Sequence, residues 1–215
     1  MALREIVVVD YGMGNLRSVT QALLHVAPAN SRISVSENPT QIANADAVVF
    51  PGQGAAKACM NALNNIEGLH EAVLQAALQK PFLGICMGMQ VLMSHSAENG
   101  GVACLDLFKG DVLPFAEQPN WNPRHKIPQM GWNQVKQSRH HPLWQNIEDN
   151  SRFYFVHSYF VQPTDAALSA GRTEFGVTYT SAIAKGSLFA IQAHPEKSAD
   201  AGLQLLRNFC AWNGE

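Results

Sequence analysis

Charge is scarce in this chain. Only 15% of its 215 residues are Asp, Glu, Lys or Arg, against 47% hydrophobic. That balance excludes the charged, core-poor composition of a disordered protein. The 15 basic and 17 acidic residues leave a formal net charge of -2, so there is no broad basic field and no nucleic-acid partner is expected. Long apolar runs are missing as well. None approaches the roughly 20 residues that cross a bilayer. The short run before Asp10 lacks the apolar length and cleavage site of a signal peptide. A membrane partner is not expected. Cysteine is limited to Cys59, Cys86, Cys104 and Cys210, with no C-x-x-C pair, which argues against a disulfide framework. The eight histidines show no metal-ligand spacing, and no metal or cofactor is expected. A reducing cytoplasm fits and keeps any catalytic thiol usable.

The length fits one domain spanning residues 1–215. Apolar runs at Ile6 to Val9, Ala47 to Phe50 and Phe82 to Ile85 read as buried strands, and Arg32 to Ser36 as a weaker one. Between them, Leu16 to Val26, Ala55 to Leu63 and Leu69 to Leu78 carry helical spacing, and Met89 to Met93 is expected to begin another helix. Strands alternating with helices imply an α/β fold with a mostly parallel sheet covered on both faces. After about residue 100 the pattern changes. Pro119 to Pro128 reads as an irregular loop. Phe153 to Val161, Val177 to Ala184 and Leu188 to Ala193 read as strands with short connections, so this half is expected to be more antiparallel. Leu203 to Trp212 reads as a closing helix with Leu203, Leu206 and Cys210 inward.

The strongest local signal is Gly84-Ile85-Cys86-Met87-Gly88. A strand runs through a G-x-C-x-G turn into a helix, the thiol form of a nucleophile elbow. Small flanking residues allow the tight bend, and a helix N-terminus favours thiolate. On this turn alone, Cys86 is either a nucleophile or a buried structural cysteine. Cys59, Cys104 and Cys210 lie in contexts that favour the structural role. A thiol nucleophile needs a base, and the base an orienting group. His194-Pro195-Glu196 offers both at the end of an apolar strand; alone it also fits a surface turn with a solvated carboxylate. The remaining histidines offer no competing partner, and His140-His141 beside Pro142 reads as loop. Pro51-Gly52-Gln53-Gly54 follows a buried strand, on the sheet edge where sites are built. Its backbone N–H groups, with that of Met87, are placed for an oxyanion, although a plain turn explains the glycines equally well. Gly12-Met13-Gly14 is too short for a dinucleotide fingerprint.

The elbow, the Gly-rich loop and His-Pro-Glu, in this chain order, resemble the triad-type (class I) glutamine amidotransferases. The likeness runs nearly the whole chain. Asp10-Tyr11-Gly12-Met13-Gly14-Asn15-Leu16-Arg17-Ser18-Val19 and Pro128-Gln129-Met130-Gly131-Trp132-Asn133 resemble one member, a glutaminase subunit that serves a separate cyclase. Phe155-Val156-His157-Ser158-Tyr159 and His194-Pro195-Glu196-Lys197-Ser198 fit the same member. Gln129 departs from its pattern, which has His there, and puts a local loop contact in question.

The resemblance implies the flavodoxin-like class I glutamine amidotransferase fold. It implies that Cys86 attacks the glutamine side-chain amide, His194 transfers the protons and Glu196 holds His194. It also implies an oxyanion hole from the Gln53 and Met87 N–H groups, and glutamine bound by Gly52, Gly54, Gln90, Glu98, Ser158 and Tyr159. Ammonia then passes to a cyclase (synthase) subunit in a heterodimer, since the chain leaves no segment for a synthase. Asn15, Trp132, Tyr154 and Lys197 are the candidates for the docking face, with Trp132 and Tyr154 equally open to partial burial in the core. Rival readings are another glutaminase of this fold, a cysteine peptidase or γ-glutamyl hydrolase, and a non-catalytic regulatory module.

Overall fold

The computed structural model describes residues 3–119 and 121–215. Its first half is a set of strand–helix units. Strand β1 (Arg4–Val9) leads to α1 (Leu16–Val26), β2 (Ser31–Ser36) to α2 (Pro39–Asn44), and β3 (Ala47–Gly52) to α3 (Ala56–Asn65) and α4 (Leu69–Gln79). Strand β4 (Phe82–Cys86) then enters α5 (Met87–Gln90). Strands β5 (Met93–Ser96), β6 (Val102–Ala103), β7 (Phe108–Pro114), β8 (Gln129–Gln137), β9 (Ser151–His157) and β10 (Tyr159–Pro163) follow. The chain closes with β11 (Ser169–Glu174), β12 (Thr178–Lys185), β13 (Leu188–Ile191) and α6 (Ala199–Ala211).

These strands join in one mixed sheet whose main path runs β2-β1-β3-β4-β13-β12-β10-β7-β5-β6. The pairs from β2 through β13 are parallel. Those joining β13 to β12, β10 and β7 are antiparallel. Strands β3, β4 and β13 are buried along their whole length, which is why they read as unbroken apolar runs rather than alternating ones. One face is covered by α2, α3, α4 and α5 over a core that includes Phe50, Leu63, Leu69 and Phe82. The other is covered by α1 and α6 over Leu23, Phe153, Phe189 and Phe209.

Several sequence-based expectations need correction. The helix expected over Met89 to Met93 is a single turn, Met87–Gln90, after which the chain enters β5. The apolar run Phe153 to Val161 is two strands. It bends at Ser158, so His157 pairs with Gln129 of β8 while Tyr159 pairs with Pro114 of β7. In α6 the buried residues are Gly202, Leu205, Leu206, Phe209 and Cys210, and Leu203 is only half-buried. His140 and His141 do lie in a loop, as expected, but the His141 ring is packed there, with its centroid 4.8 Å from that of Phe189 and 5.1 Å from that of Trp212. Helix α2 is too short for its apolar spacing to register. Its signal is local: Asn38 accepts from the N–H groups of Thr40 and Gln41, and Pro39 opens the helix.

Candidate functional site

Parallel pairing brings three strand ends to one edge. Gly52, the last residue of β3, is the ladder partner of Cys86, the last residue of β4. On the other side Ile85 pairs with Ile191, which places the segment leading to His194 beside the cysteine. Cys86 itself takes the strained conformation, with φ 55° and ψ -110°. Its flanking glycines serve a different need, close approach. A Cβ on Gly84 would lie 2.8 Å from that of Ala190, and one on Gly88 would overlap the Phe50 carbonyl oxygen. The elbow is tight because neighbouring strands leave no room at 84 and 88. Because α5 is a single turn, its dipole gives less support to a thiolate than a full helix would.

His194 Nδ1 lies 2.9 Å from Glu196 Oε1, with both side chains buried. The carboxylate accepts, so Nδ1 carries the proton and Nε2 is left for the sulfur. That Nε2 is buried without a hydrogen-bond partner, as is Glu196 Oε2. Burial disfavours a charged ring, yet the Cys86 sulfur and the Glu196 carboxylate outweigh it and hold the His194 imidazole above its ordinary value. Ser198 fixes the turn. Its hydroxyl donates to the His194 carbonyl at 2.6 Å and accepts from the Tyr154 N–H at 2.9 Å. The three remaining cysteines are free and buried. Burial pushes the Cys59 thiol up to about 12 and those of Cys104 and Cys210 up to about 11, so all three stay protonated and unreactive near neutral pH.

A cavity of about 530 Å³ opens on this edge. It is lined by Gln53, Gly54, Cys86, Met87, Gln90, Glu98, Ser158, Tyr159, His194 and Lys197, together with Pro128, Val156 and His157. Two larger hollows lie elsewhere, one around Trp144 and one along Arg139 and Arg172, and neither contains a thiol. Size therefore does not pick the site; the juxtaposition of a thiol and a carboxylate-held histidine does. Gly52 lies behind the cavity wall, buried against Met87 and the Tyr11 hydroxyl. Glu98 accepts from the Ala56 N–H through Oε2 at 2.7 Å and lines the cavity. Outside the mouth, the Trp132 and Tyr154 rings meet edge-on at 6.2 Å, and the Lys197 ammonium stands 6.0 Å over Tyr154. Trp132 is half exposed. Asn15 opens α1, which packs against the Pro195–Lys197 turn on the same edge.

Some site residues escaped sequence reasoning. Gln192 is fully buried and its amide Nε2 donates to Cys86 Sγ at 3.6 Å. Its one signal was a lone polar residue inside an apolar strand run. His157 donates through Nδ1 to the Tyr159 carbonyl at 2.8 Å, and burial, reinforced by His194, pushes it down to about 4. The Tyr179 hydroxyl bridges His157 Nε2 at 3.2 Å and the Gln129 amide at 2.9 Å. Gln129 is thus buried in a side-chain network rather than in a loop. Met130, 66% exposed, extends the apolar surface beside Trp132.

Among the described residues no cluster of His, Cys, Asp and Glu suits a metal ion, and no helix is long and apolar enough to cross a membrane.

A cysteine on a strand-to-helix elbow beside a carboxylate-held histidine, on the carboxyl edge of this sheet, is the arrangement of a cysteine-dependent amidotransferase class. The chain belongs to the class-I glutamine amidotransferases, whose family model matches residues 7–212. It is 62% identical over 210 residues to the imidazole glycerol phosphate synthase subunit HisH of Hydrogenovibrio crunogenus, covering 98% of this chain and 97% of that one. It is 55% identical over 212 residues to the protein of the same name from Thiobacillus denitrificans, covering 97% and 92%. Among solved structures, PurLQS from Thermotoga maritima superposes with a TM-score of 0.70 at 18% identity, covering 96% of this chain and 97% of that one. A glutamine amidotransferase from the same organism superposes with a TM-score of 0.60 at 17% identity, covering 91% and 77%. At such identities the structures speak for the fold alone.

Proposed function

We propose that this chain, acting as one amidotransferase domain, is the glutaminase subunit of an imidazole glycerol phosphate synthase. In this reading it hydrolyses glutamine and hands the ammonia to a cyclase subunit, in the histidine pathway of a reducing cytoplasm. The observation that carries the reading is Cys86 and His194 lining one cavity, with His194 held from behind by buried Glu196, on a chain so close in sequence to the HisH proteins.

His194 takes the Cys86 thiol proton, and the resulting thiolate attacks the side-chain amide carbon, forming the S–C bond. His194 returns a proton to the nitrogen as the C–N bond breaks, and ammonia leaves. Water then attacks the glutamyl thioester with His194 as base, the S–C bond breaks, and glutamate is released. Glu196 keeps His194 in the Nδ1–H tautomer. The N–H groups of Gln53 and Met87 stabilise the oxyanion, each worth roughly 10²–10³ in rate. Glu98 faces the α-ammonium of glutamine, Gln90 lies beside it, and the Ser158 and Tyr159 backbone faces its carboxylate. The edge carrying Asn15, Trp132, Tyr154 and Lys197 meets the cyclase in a heterodimer; ammonia released to bulk water would largely protonate and lose its nucleophilicity. The cyclase substrate is a phosphorylated ribulose-type aminoimidazole carboxamide ribonucleotide. Its products are imidazole glycerol phosphate and an aminoimidazole carboxamide ribotide.

The test is ammonia and glutamate release from glutamine, by the chain alone and with its cyclase subunit and that subunit's substrate. Turnover coupled to imidazole glycerol phosphate formation is expected. No glutamate under either condition would overturn the glutaminase assignment. Glutamate release coupled to a different synthase would reassign the pathway.

A further inference from the structure

Gln192 sits at the reacting atom, and its orientation follows from its neighbours. The chain starts at the Tyr159 carbonyl, which can only accept a hydrogen bond. Gln90 donates to it through Nε2 at 2.9 Å, which fixes which end of the Gln90 amide is the NH₂. The same NH₂ reaches the Gln192 side chain at 2.9 Å, so the group it meets there is the Gln192 carbonyl oxygen. The Gln192 NH₂ must then point the other way, toward Cys86 Sγ at 3.6 Å. Both amides are buried, so water does not compete for these contacts. The backbone is fixed too, because the Gln192 N–H donates to the Ser181 carbonyl at 2.8 Å.

We infer, on the glutaminase reading above, that Gln192 is a further catalytic residue, whose amide N–H donates to the Cys86 sulfur and stabilises its negative charge. It acts twice. Before attack it holds the thiolate formed when His194 takes the proton. At the end, as the S–C bond of the thioester breaks, the electron pair returns to sulfur opposite the same N–H. A donor to sulfur is needed here because α5 is a single turn and its dipole is weak.

The titratable groups around the sulfur are His194 with Glu196 on the β13–α6 turn and Tyr11 on the β1–α1 loop, with His157, Tyr159, Glu98 and Lys197 around the cavity. All of these stay in the two variants that test the inference. Gln192→Glu keeps the shape and the acceptor for Gln90 but loses the N–H donor. Gln192→Met loses the donor without adding charge. The readout is alkylation of Cys86 by iodoacetamide against pH in the full chain, followed by mass of the Cys86 peptide, with glutamine kcat and KM measured in the cyclase complex. For both variants the alkylation profile is expected to move to higher pH, with a rate near neutrality about tenfold lower that converges with the parent at alkaline pH. In the complex kcat should fall at least tenfold. For Gln192→Glu, KM should change by less than about twofold, because Gln90 keeps its partner. An unchanged alkylation profile in the folded variants would overturn the inference, even with turnover lost, since a merely structural role predicts that result. A shift in Gln192→Glu alone would assign the effect to added charge and overturn it as well. Alkylation needs no glutamine, so the contact is tested even if the glutaminase assignment fails.

Discussion

Gly52 and Cys86 face each other as the last residues of two adjacent parallel strands. This pairing joins the candidate oxyanion loop to the candidate nucleophile, because whatever follows β3 must emerge beside whatever follows β4. The geometry of the elbow is therefore set by the sheet, and the sulfur is an addition to it.

Cys86→Ala should accordingly fold normally and lose glutamine hydrolysis entirely, while Cys59→Ala, in the core beneath, should keep turnover with a modest loss of stability. Ammonium salts at alkaline pH should restore cyclisation to the Cys86→Ala complex, because the cyclisation chemistry is assigned to the partner. Retained glutaminase activity in Cys86→Ala would sink the mechanism. Failure of ammonia to rescue, with the partner folded, would place part of the synthase site on this chain.

Gly88 and Gly186 offer a matched pair. A Cβ at Gly88 overlaps the Phe50 carbonyl, and backbone cannot step aside as a side chain can. Gly88→Ala should cost about 3 kcal/mol or more and remove activity with it. Gly186 has φ +56° but open space around its would-be Cβ, so Gly186→Ala should cost only about 1–2 kcal/mol and leave turnover intact. Urea midpoints and glutaminase assays distinguish the two. Equal costs would mean that the elbow relaxes more easily than its packing implies.

The parallel core was legible in the sequence because β3, β4 and β13 are buried throughout and their apolar runs stand out. The G-x-C-x-G turn and His-Pro-Glu were legible because unusual local geometry requires unusual residues. What stayed hidden depends on contacts distant in sequence. Phe153 to Val161 reads as one strand because its bend at Ser158 is enforced by two different partners, β8 and β7. Gln192 lies next to the sulfur only through the pairing of β13 with β4. Gln129 looked like a loop residue, whereas Tyr179, fifty positions on, makes it part of a buried network.

His157 gives a pH dependence with a definite sign. Its ring is pushed down to about 4 by burial, chiefly, with His194 adding to the effect. It is harder to protonate folded than unfolded, where such a ring titrates near ~6.5. Its contribution is fully present above about pH 6.5 and is lost as the pH falls toward 4. The difference amounts to about 3 kcal/mol. His141 shifts in the same direction to about 4, from burial and Arg139, but its partial exposure weakens its share. Unfolding free energy measured from pH 7 to 4 should fall more steeply for the parent than for His157→Gln. Parallel slopes would show that His157 does not titrate across that window.

The last expectation concerns coupling to the proposed cyclase. A glutaminase that is always active would destroy glutamine without product, so the free chain should turn over slowly. Gln53 lies between two glycines of unlike character. Gly52 is clamped in β3, and Gly54, at φ +86° and exposed, holds a conformation that side chains resist. The Gln53 peptide can reorient on the Gly54 side, because glycine reaches both signs of φ, turning its N–H toward the oxyanion when the partner docks. One such donor is worth roughly 10²–10³ in rate, which sets the activation this loop alone can supply. The effect acts on the transition state and should appear in kcat more than in KM. Lys197 lines the cavity and stands over Tyr154 beside exposed Trp132, so it touches both the site and the candidate docking face. Lys197→Ala should weaken activation, or uncouple glutamate release from synthesis, while Cys86 still reacts with iodoacetamide. The measurement is glutaminase kcat for the free chain, for the complex, and for the complex holding the cyclase substrate. Three equal values would remove the gate and leave the roles of Cys86, His194 and Glu196 untouched.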